Sequence, residues 1–97
     1  MPQEKVYLSV DLGAGSSRIV AGIYNGEEIR LEEVARFPST NVQVDDSYYW
    51  DFLGIYRNIL DGLAQAIQRY GESIESLGVD TWGVDYGLLD KDNRLIG

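Results

Sequence analysis

Two short turns divide the first 37 residues into three strand-like segments, and they leave few topologies open to the chain. Apolar and polar residues alternate over residues 6–12, which is typical of a strand with one buried face. The run GAGSS follows, and Asn25-Gly26 marks a second tight turn behind the apolar segment 18–24. Because connections of this length join antiparallel neighbours, we predict a three-stranded meander over this region.

A helix is predicted after the meander. In the third strand, residues 28–37, the apolar residues are irregularly spaced, which indicates a bulge near Glu32-Glu33. Residues 38–47 have no clear period and are predicted to form a polar crossover. Asp51 occupies the place of a helix N-cap, and Gly71 that of a helix-ending residue. Between them an apolar stripe recurs at helical intervals, formed by Leu53, Tyr56, Leu60, Leu63, Ile67 and Tyr70.

The last quarter of the chain predicts a buried strand and a hairpin. Residues 76–81 form a short apolar segment entered from the helix, and residues 86–90 and 94–97 flank a turn at Lys91-Asp92-Asn93. A meander, a crossover helix, a further strand and a hairpin make an incomplete layer of the α/β class. The 97 residues are therefore expected to be an N-terminal piece of a larger fold.

Composition and charge exclude several kinds of partner and catalyst. Eight basic side chains against sixteen acidic ones give a net charge of −8, which disfavours nucleic acid and anionic membranes as partners. The chain has no cysteine and no histidine, so it offers neither a thiolate zinc site nor a Ser-His-Asp relay. No apolar run approaches the ~20 residues that span a bilayer, and a cytoplasmic location is expected.

The segment DLGAGSSR, residues 11–18, is a candidate phosphate site. It lacks the lysine of a P-loop, and it lacks the third glycine and the following helix of a dinucleotide-binding loop. What remains is a tight hairpin in which Gly13 and Gly15 allow a sharp turn and close approach to a phosphate. Successive main-chain N–H groups in such a turn can bind an anion.

Charged and hydroxyl side chains surround this loop. Ser16 and Ser17 offer hydroxyl donors, and Arg18 offers positive charge. Asp11 would repel a bare phosphate, so its presence is explained if Mg²⁺ lies between them, bound directly or through water. A plain glycine-rich hairpin with a capping acid and a surface arginine explains the same residues, and both interpretations stay open.

A second candidate segment is LGVDTWGVDYGLLD, residues 77–90. Asp80, Trp82, Gly83 and Asp85 stand where a strand ends, and ligands of open α/β sheets collect at the carboxyl ends of strands. A tryptophan beside a glycine presents an apolar face to a sugar ring. Core packing of the tryptophan and turn capping by the aspartates is the alternative. The aromatic run at residues 48–50 is predicted to pack in the core or against the helix start.

Together these segments resemble the FGGY carbohydrate kinases, within the superfamily of actin, Hsp70 and hexokinase. DLGAGSSR resembles the first phosphate loop of that superfamily, and GVDTWGVDYGLLD is similar to a segment of the rhamnulokinase branch. The stretch YYWD, residues 48–51, has a counterpart ahead of the first crossover helix, and the resemblance extends over residues 6–97. Ser17 stands where loops of that branch carry glycine, so the choice of sugar depends on DTWGVDY.

The resemblance implies two RNase H-like domains facing each other across a cleft, with residues 1–97 forming the first portion of the first domain. It implies ATP-dependent phosphorylation of a ketose, in this branch L-rhamnulose at its 1-hydroxyl. Contacts to Mg-ATP are then expected from Asp11, Gly13, Ala14, Gly15, Ser16, Ser17 and Arg18, with Asp11 orienting the metal. Contact to the sugar is expected from Gly83, with Trp82, Asp80 and Asp85 nearby. The catalytic base and the adenine pocket are expected beyond these residues, so the chain alone is expected to be inactive.

Two other functions stay open at this point. A structural or switch ATPase of the actin or Hsp70 type shares the hairpin loop but has no need of the Trp82-Gly83 turn. A non-catalytic sugar-responsive module would keep its ligand response after the substitution Asp11→Ala, whereas a kinase would lose phosphoryl transfer. No motif of the sequence indicates an oligomeric state.

Overall fold

A computed structural model describes residues 4–83 and 87–96, and it contains the predicted antiparallel meander. Strands β1 (Lys5–Leu12), β2 (Ser16–Tyr24) and β3 (Ile29–Pro38) pair in chain order. The predicted bulge is confirmed, because the register of β2 with β3 skips Val34. The extra residue lets the side chain of Val34 pack against the core.

A hairpin replaces the polar crossover that the sequence predicted for residues 38–47. Strands β4 (Asn41–Val44) and β5 (Ser47–Trp50) pair antiparallel and form a separate two-stranded sheet. Asp45 has a φ of 53°, and this left-handed conformation is one that aspartate tolerates better than most residues. The prediction was wrong because strands of only four residues leave too short an alternation to reveal them.

The helix α1 (Phe52–Tyr70) begins and ends as the sequence predicted. The Asp51 side chain accepts a hydrogen bond from the N–H of Gly54 at 3.0 Å, which makes Asp51 the N-cap. Gly71 ends the helix with a φ of 57°, and its N–H donates to the carbonyl of Ile67. In the described part of the chain, no helix is long and apolar enough to cross a membrane.

The face of α1 that packs on the sheet differs from the predicted stripe. The buried residues are Ile55, Gly62 and Ala66, whereas four residues of the stripe are exposed, namely Leu53, Tyr56, Leu60 and Ile67. A Cβ at Gly62 would collide with the side chain of Ile19. The small residues thus let the helix approach β2 and β3 closely, and a stripe drawn through large apolar residues misses them.

Strand β6 (Ile74–Thr81) follows a single 3-10 turn and completes the main sheet. It pairs in parallel with β1, so the strand order is β3-β2-β1-β6. The strand itself was predicted, but its predicted burial was wrong. Leu77 and Val79 are 48% and 63% exposed, since α1 lies over β2 and β3 and leaves β6 uncovered. The core lies between α1 and the middle of the sheet, at Val6, Leu8, Ala21, Ile23 and Ala66.

The sheet topology brings the candidate segments to one edge. Strands β1, β3 and β6 run in the same direction, so their carboxyl ends share an edge. The β1–β2 loop, the β4–β5 hairpin, the start of α1 and the turn after β6 all lie there. The predicted last hairpin is present as β7 (Leu88–Leu89) and β8 (Leu95–Ile96). The α/β class is confirmed, with a mixed sheet and one helix.

Candidate functional site

Two carboxylates lie side by side where the parallel strands β1 and β6 end. Asp11 and Asp80 occupy partner positions in the register of that pair. Because side chains alternate along a strand, both point to the face opposite α1, and Val10 is buried on the face toward it. Within residues 4–83 and 87–96, no cluster of three acidic, histidine or cysteine side chains occurs. Two carboxylates suit Mg²⁺, which keeps water and phosphate oxygens among its ligands.

Arg18 is paired with Asp11 on the same face of the sheet. The Nε of Arg18 lies 3.2 Å from Oδ2 of Asp11, and both side chains are about half exposed. An ion pair this open to water contributes at most ~1 kcal/mol to stability. A phosphate with its metal can therefore replace the pair at little cost, which would leave the guanidinium beside the loop.

The two glycines of the loop between β1 and β2 differ in the space around them. The N–H of Gly13 donates to the carbonyl of Ser16 at 3.2 Å, and a Cβ at Gly13 would lie 2.6 Å from that oxygen. A Cβ at Gly15 would meet no atom within 4 Å. Neither glycine has a left-handed φ, so close approach at Gly13 and open access at Gly15 distinguish them. Ala14 and Ser16 are exposed too, and this surface is accessible to an anion.

Ser39 supports the β1–β2 loop through hydrogen bonds to its main chain, although no sequence signal indicated this role. Its hydroxyl donates to the carbonyl of Gly13, and its N–H donates to the carbonyl of Gly15 at 3.2 Å. The Oγ atoms of Ser17 and Ser39 are 2.7 Å apart. Ser39 already donates its only hydroxyl proton to the carbonyl of Gly13. The Ser17 hydroxyl must therefore donate to Ser39. With its side chain buried in this way, Ser17 supports the loop, and the predicted hydroxyl donation from Ser17 to a phosphate stays a prediction.

The residues predicted to contact a sugar are described only in part. Gly83 is exposed just past the end of β6, and a Cβ there would meet no atom within 4 Å. Trp82 is half-buried beside it. Asp85 lies outside the described residues. The structure therefore places Asp80, Trp82 and Gly83 at the same edge as the glycine-rich loop.

An aromatic pocket opens at this edge, on the side that carries α1. The rings of Trp50 and Trp82 pack with their centroids 4.7 Å apart and their planes tilted by 33°. The pocket has a volume of about 680 Å³, and Leu12, Thr81 and Ile55 form part of its wall. The remaining lining residues are Asn41, Tyr48, Tyr49, Phe52, Tyr56, Ile59, Gly87 and Leu95. The predicted core packing of the aromatic run was wrong for two of its members, since Tyr48 and Tyr49 are 71% and 57% exposed.

The site as a whole combines three features at the carboxyl ends of β1 and β6. An exposed glycine-rich hairpin lies beside two carboxylates and an arginine, and an aromatic pocket lies next to them. This combination fits an anionic nucleotide with its metal on one side and a small organic acceptor on the other. Carbohydrate kinases are a class of protein with such a pair of substrates.

Comparison with known proteins identifies the relatives more closely. The chain is similar to the rhamnulokinase of Bacteroides thetaiotaomicron, with 47% identity over 90 residues that make up 93% of this chain and 18% of the relative. The rhamnulokinase of Pectobacterium atrosepticum is 41% identical over 95 residues, and that of Oceanobacillus iheyensis is 41% identical over 86. No protein-family model matches the chain. The chain spans about a fifth of the length of these curated relatives, and over that part it resembles rhamnulokinases.

Proposed function

We propose that the chain is part of a sugar kinase of the FGGY type, which transfers the γ-phosphoryl group of ATP to the 1-hydroxyl of L-rhamnulose. The observation that supports this proposal most strongly is the 41–47% identity to three proteins named rhamnulokinase, over at least 89% of the chain. We propose further domains besides residues 1–97, which span about a fifth of the relatives' length and would form the first portion of an RNase H-like domain.

The glycine-rich loop would hold the phosphates of ATP. The exposed main chain from Ala14 to Ser16 offers N–H donors, and Arg18 neutralises charge once its pair with Asp11 opens. Mg²⁺ would supply charge neutralisation on the phosphate oxygens. Asp11, with Asp80 beside it, would orient that ion through its carboxylate oxygens. The hydrogen bond from Ser39 keeps the loop in shape before the nucleotide arrives.

The sugar would bind next to the turn after β6. Gly83 allows close approach of its main chain, and Trp82, Asp80 and Asp85 are the proposed neighbours. The base that accepts the proton of the attacking hydroxyl would come from the part of the protein that these 97 residues do not include. Residues 1–97 alone would then bind substrates weakly and fail to turn over. We place the reaction in the cytoplasm, where ATP is abundant.

Release of ADP by the full gene product tests this proposal. The purified protein is incubated with Mg-ATP and one of L-rhamnulose, xylulose, fuculose, glycerol or no sugar. Release that depends on L-rhamnulose is the expected result. Dependence on another of these acceptors would keep the kinase and remove the assignment of the sugar. Steady release without any acceptor would instead support an ATPase of the actin type.

A further inference from the structure

The aromatic pocket has the size and lining of a binding site for a small apolar group. Its volume of about 680 Å³ lies within the range of ~300–1,000 Å³ that is usual for small-molecule sites. None of the described residues that line it is charged, and its polar side-chain groups are the hydroxyls of three tyrosines and Thr81, the amide of Asn41 and the indole N–H groups of Trp50 and Trp82. Ring faces and aliphatic side chains nevertheless form most of its wall.

The aromatic rings around the pocket are left in contact with solvent. Tyr48, Tyr56 and Phe52 are 71%, 54% and 47% exposed. Trp50 and Trp82 are half-buried and pack on each other, so their rings form an ordered wall of a pocket that is open to solvent. Exposed rings around such a wall offer apolar area that a ligand can bury.

Three residues that line the pocket are direct neighbours in sequence of candidate site residues. Leu12 lines the pocket and directly follows Asp11 in β1. Thr81 lines it and directly follows Asp80 in β6, and Trp82 directly precedes Gly83. Neighbouring side chains of a strand point to opposite faces of the sheet. The carboxylates of Asp11 and Asp80 therefore lie on one face of the sheet, and the pocket lies on the other. A ligand lying across the edge can touch both.

We propose that this pocket receives the methyl terminus of a 6-deoxy ketose and that Trp50 is a specificity-determining residue of the enzyme. The inference rests on the proposed function and adds the means by which the acceptor is selected. Such a sugar carries hydroxyls along most of its length and a methyl group at carbon 6. The phosphorylated end lies toward the glycine-rich loop, and the methyl end lies against the rings of Trp50 and Trp82. A 6-hydroxyl lying on the faces of these two rings would lose water there and gain no conventional hydrogen-bond partner from the ring faces.

The test compares two ketoses that differ at carbon 6 only. L-Rhamnulose has a methyl group there, and L-fructose has a hydroxymethyl group. The full gene product is expected to prefer L-rhamnulose by about 10- to 100-fold in kcat/KM, which is the range an apolar pocket reaches against an added hydroxyl. Trp50→Ala is expected to bring this preference close to unity, mainly by raising the KM for L-rhamnulose, with the KM for ATP unchanged.

Three further variants keep the proposal open to refutation. Trp50→Phe retains an apolar ring and is expected to keep most of the preference. Tyr48→Ala changes a side chain that is 71% exposed, so it leaves folding intact while widening the pocket, and it is expected to lower the preference several-fold. Tyr24→Ala is the control, because Tyr24 lies at the opposite end of β2 and its hydroxyl contacts the carbonyl of Gly26.

The outcomes separate this inference from the function on which it rests. A preference that stays unchanged in both Trp50→Ala and Tyr48→Ala, with L-rhamnulose still phosphorylated, would overturn the pocket assignment alone. If neither ketose supports ADP release by the unsubstituted protein, the proposed function fails and this inference with it. A fall in preference for the pocket variants, with Tyr24→Ala unaffected, is the result expected.

Discussion

The Nε of Arg18 lies 3.2 Å from Oδ2 of Asp11, so the two charged residues that bracket the glycine-rich loop are paired with each other. They are direct partners in the antiparallel register of β1 and β2. The pair holds the guanidinium beside the loop while leaving both side chains open to water. Its proposed role therefore lies in binding, and its loss should change activity far more than stability.

Replacing Asp11 with alanine is expected to lower kcat by at least ~10²-fold, because the carboxylate proposed to orient the metal is removed. The free energy of unfolding should change by no more than ~1 kcal/mol, since the lost ion pair is exposed. Kinetics and urea unfolding of the full gene product measure the two effects. The matched control is Glu33→Ala, which removes a similarly exposed pair with Arg36 at 2.7 Å. An equal loss of rate in both variants would contradict the role of Asp11.

Ser39→Ala should remove two hydrogen bonds that hold the β1–β2 loop in place. The Ser17 hydroxyl and the carbonyl of Gly13 would both lose a buried partner, which typically costs ~1–3 kcal/mol of stability. Because the loop would lose its support, the KM for ATP is expected to rise while the KM for the sugar changes little. Ser76→Ala, at an exposed position of β6, is the control and should leave both constants as they are. A stable Ser39→Ala protein with an unchanged KM for ATP would show that these hydrogen bonds have no bearing on the nucleotide.

Gly62→Ala tests the close contact between α1 and β2. Alanine favours a helix over glycine by ~1 kcal/mol, so propensity alone predicts a more stable protein. The added methyl group would, however, meet the Cδ1 atom of Ile19, and overpacking of this kind costs ~1–3 kcal/mol. We expect a net loss of stability in thermal unfolding.

The double variant with Ile19→Val decides whether that contact is the cause. Valine lacks the Cδ1 atom, so the double variant should be more stable than the sum of the two single effects predicts. Additive losses would mean that the cost of Gly62→Ala arises elsewhere.

Tyr70 predicts a loss of stability in alkaline solution. Its hydroxyl is buried, and burial together with the nearby Glu32 carboxylate raises the pKa of the phenol above its usual 10.0. The folded state then holds the proton more tightly than the unfolded state, so the free energy of unfolding should fall as pH rises from about 10. Tyr70→Phe removes the titrating group and should flatten this fall in urea unfolding between about pH 8 and pH 10.5. An unchanged slope would place the effect on other groups.

Local sequence signals predicted the elements of the fold that depend on neighbours along the chain. The turn at Asn25-Gly26 is held by the Asn25 side chain, which accepts hydrogen bonds from the N–H groups of Glu27 and Glu28. Asp51 caps α1, and the bulge lies at Val34, next to the expected Glu32-Glu33. Each of these depends on a few adjacent residues, which is why the sequence alone was sufficient.

Features that depend on distant contacts were harder to predict. Gly62 and Ala66 face the sheet because β2 and β3 accept a helix at short distance, and no periodicity of large apolar residues reveals this. Ser39 joins the loop only because β3 ends beside the start of β2, where Pro38 pairs with Ser16. The aromatic run at residues 48–50 showed no alternation that would place Trp50 against Trp82, a residue 32 positions further along the chain.

Identification of the reaction product is the sharpest test of phosphoryl transfer to L-rhamnulose. The full gene product is incubated with Mg-ATP and L-rhamnulose, and the sugar is analysed by mass spectrometry and phosphorus NMR. We expect a single monophosphate ester at carbon 1, formed in equal amount with ADP and at least ~10²-fold more slowly by the Asp11→Ala protein. ADP formed without any phosphorylated sugar, or a phosphate ester on another acceptor only, would contradict it.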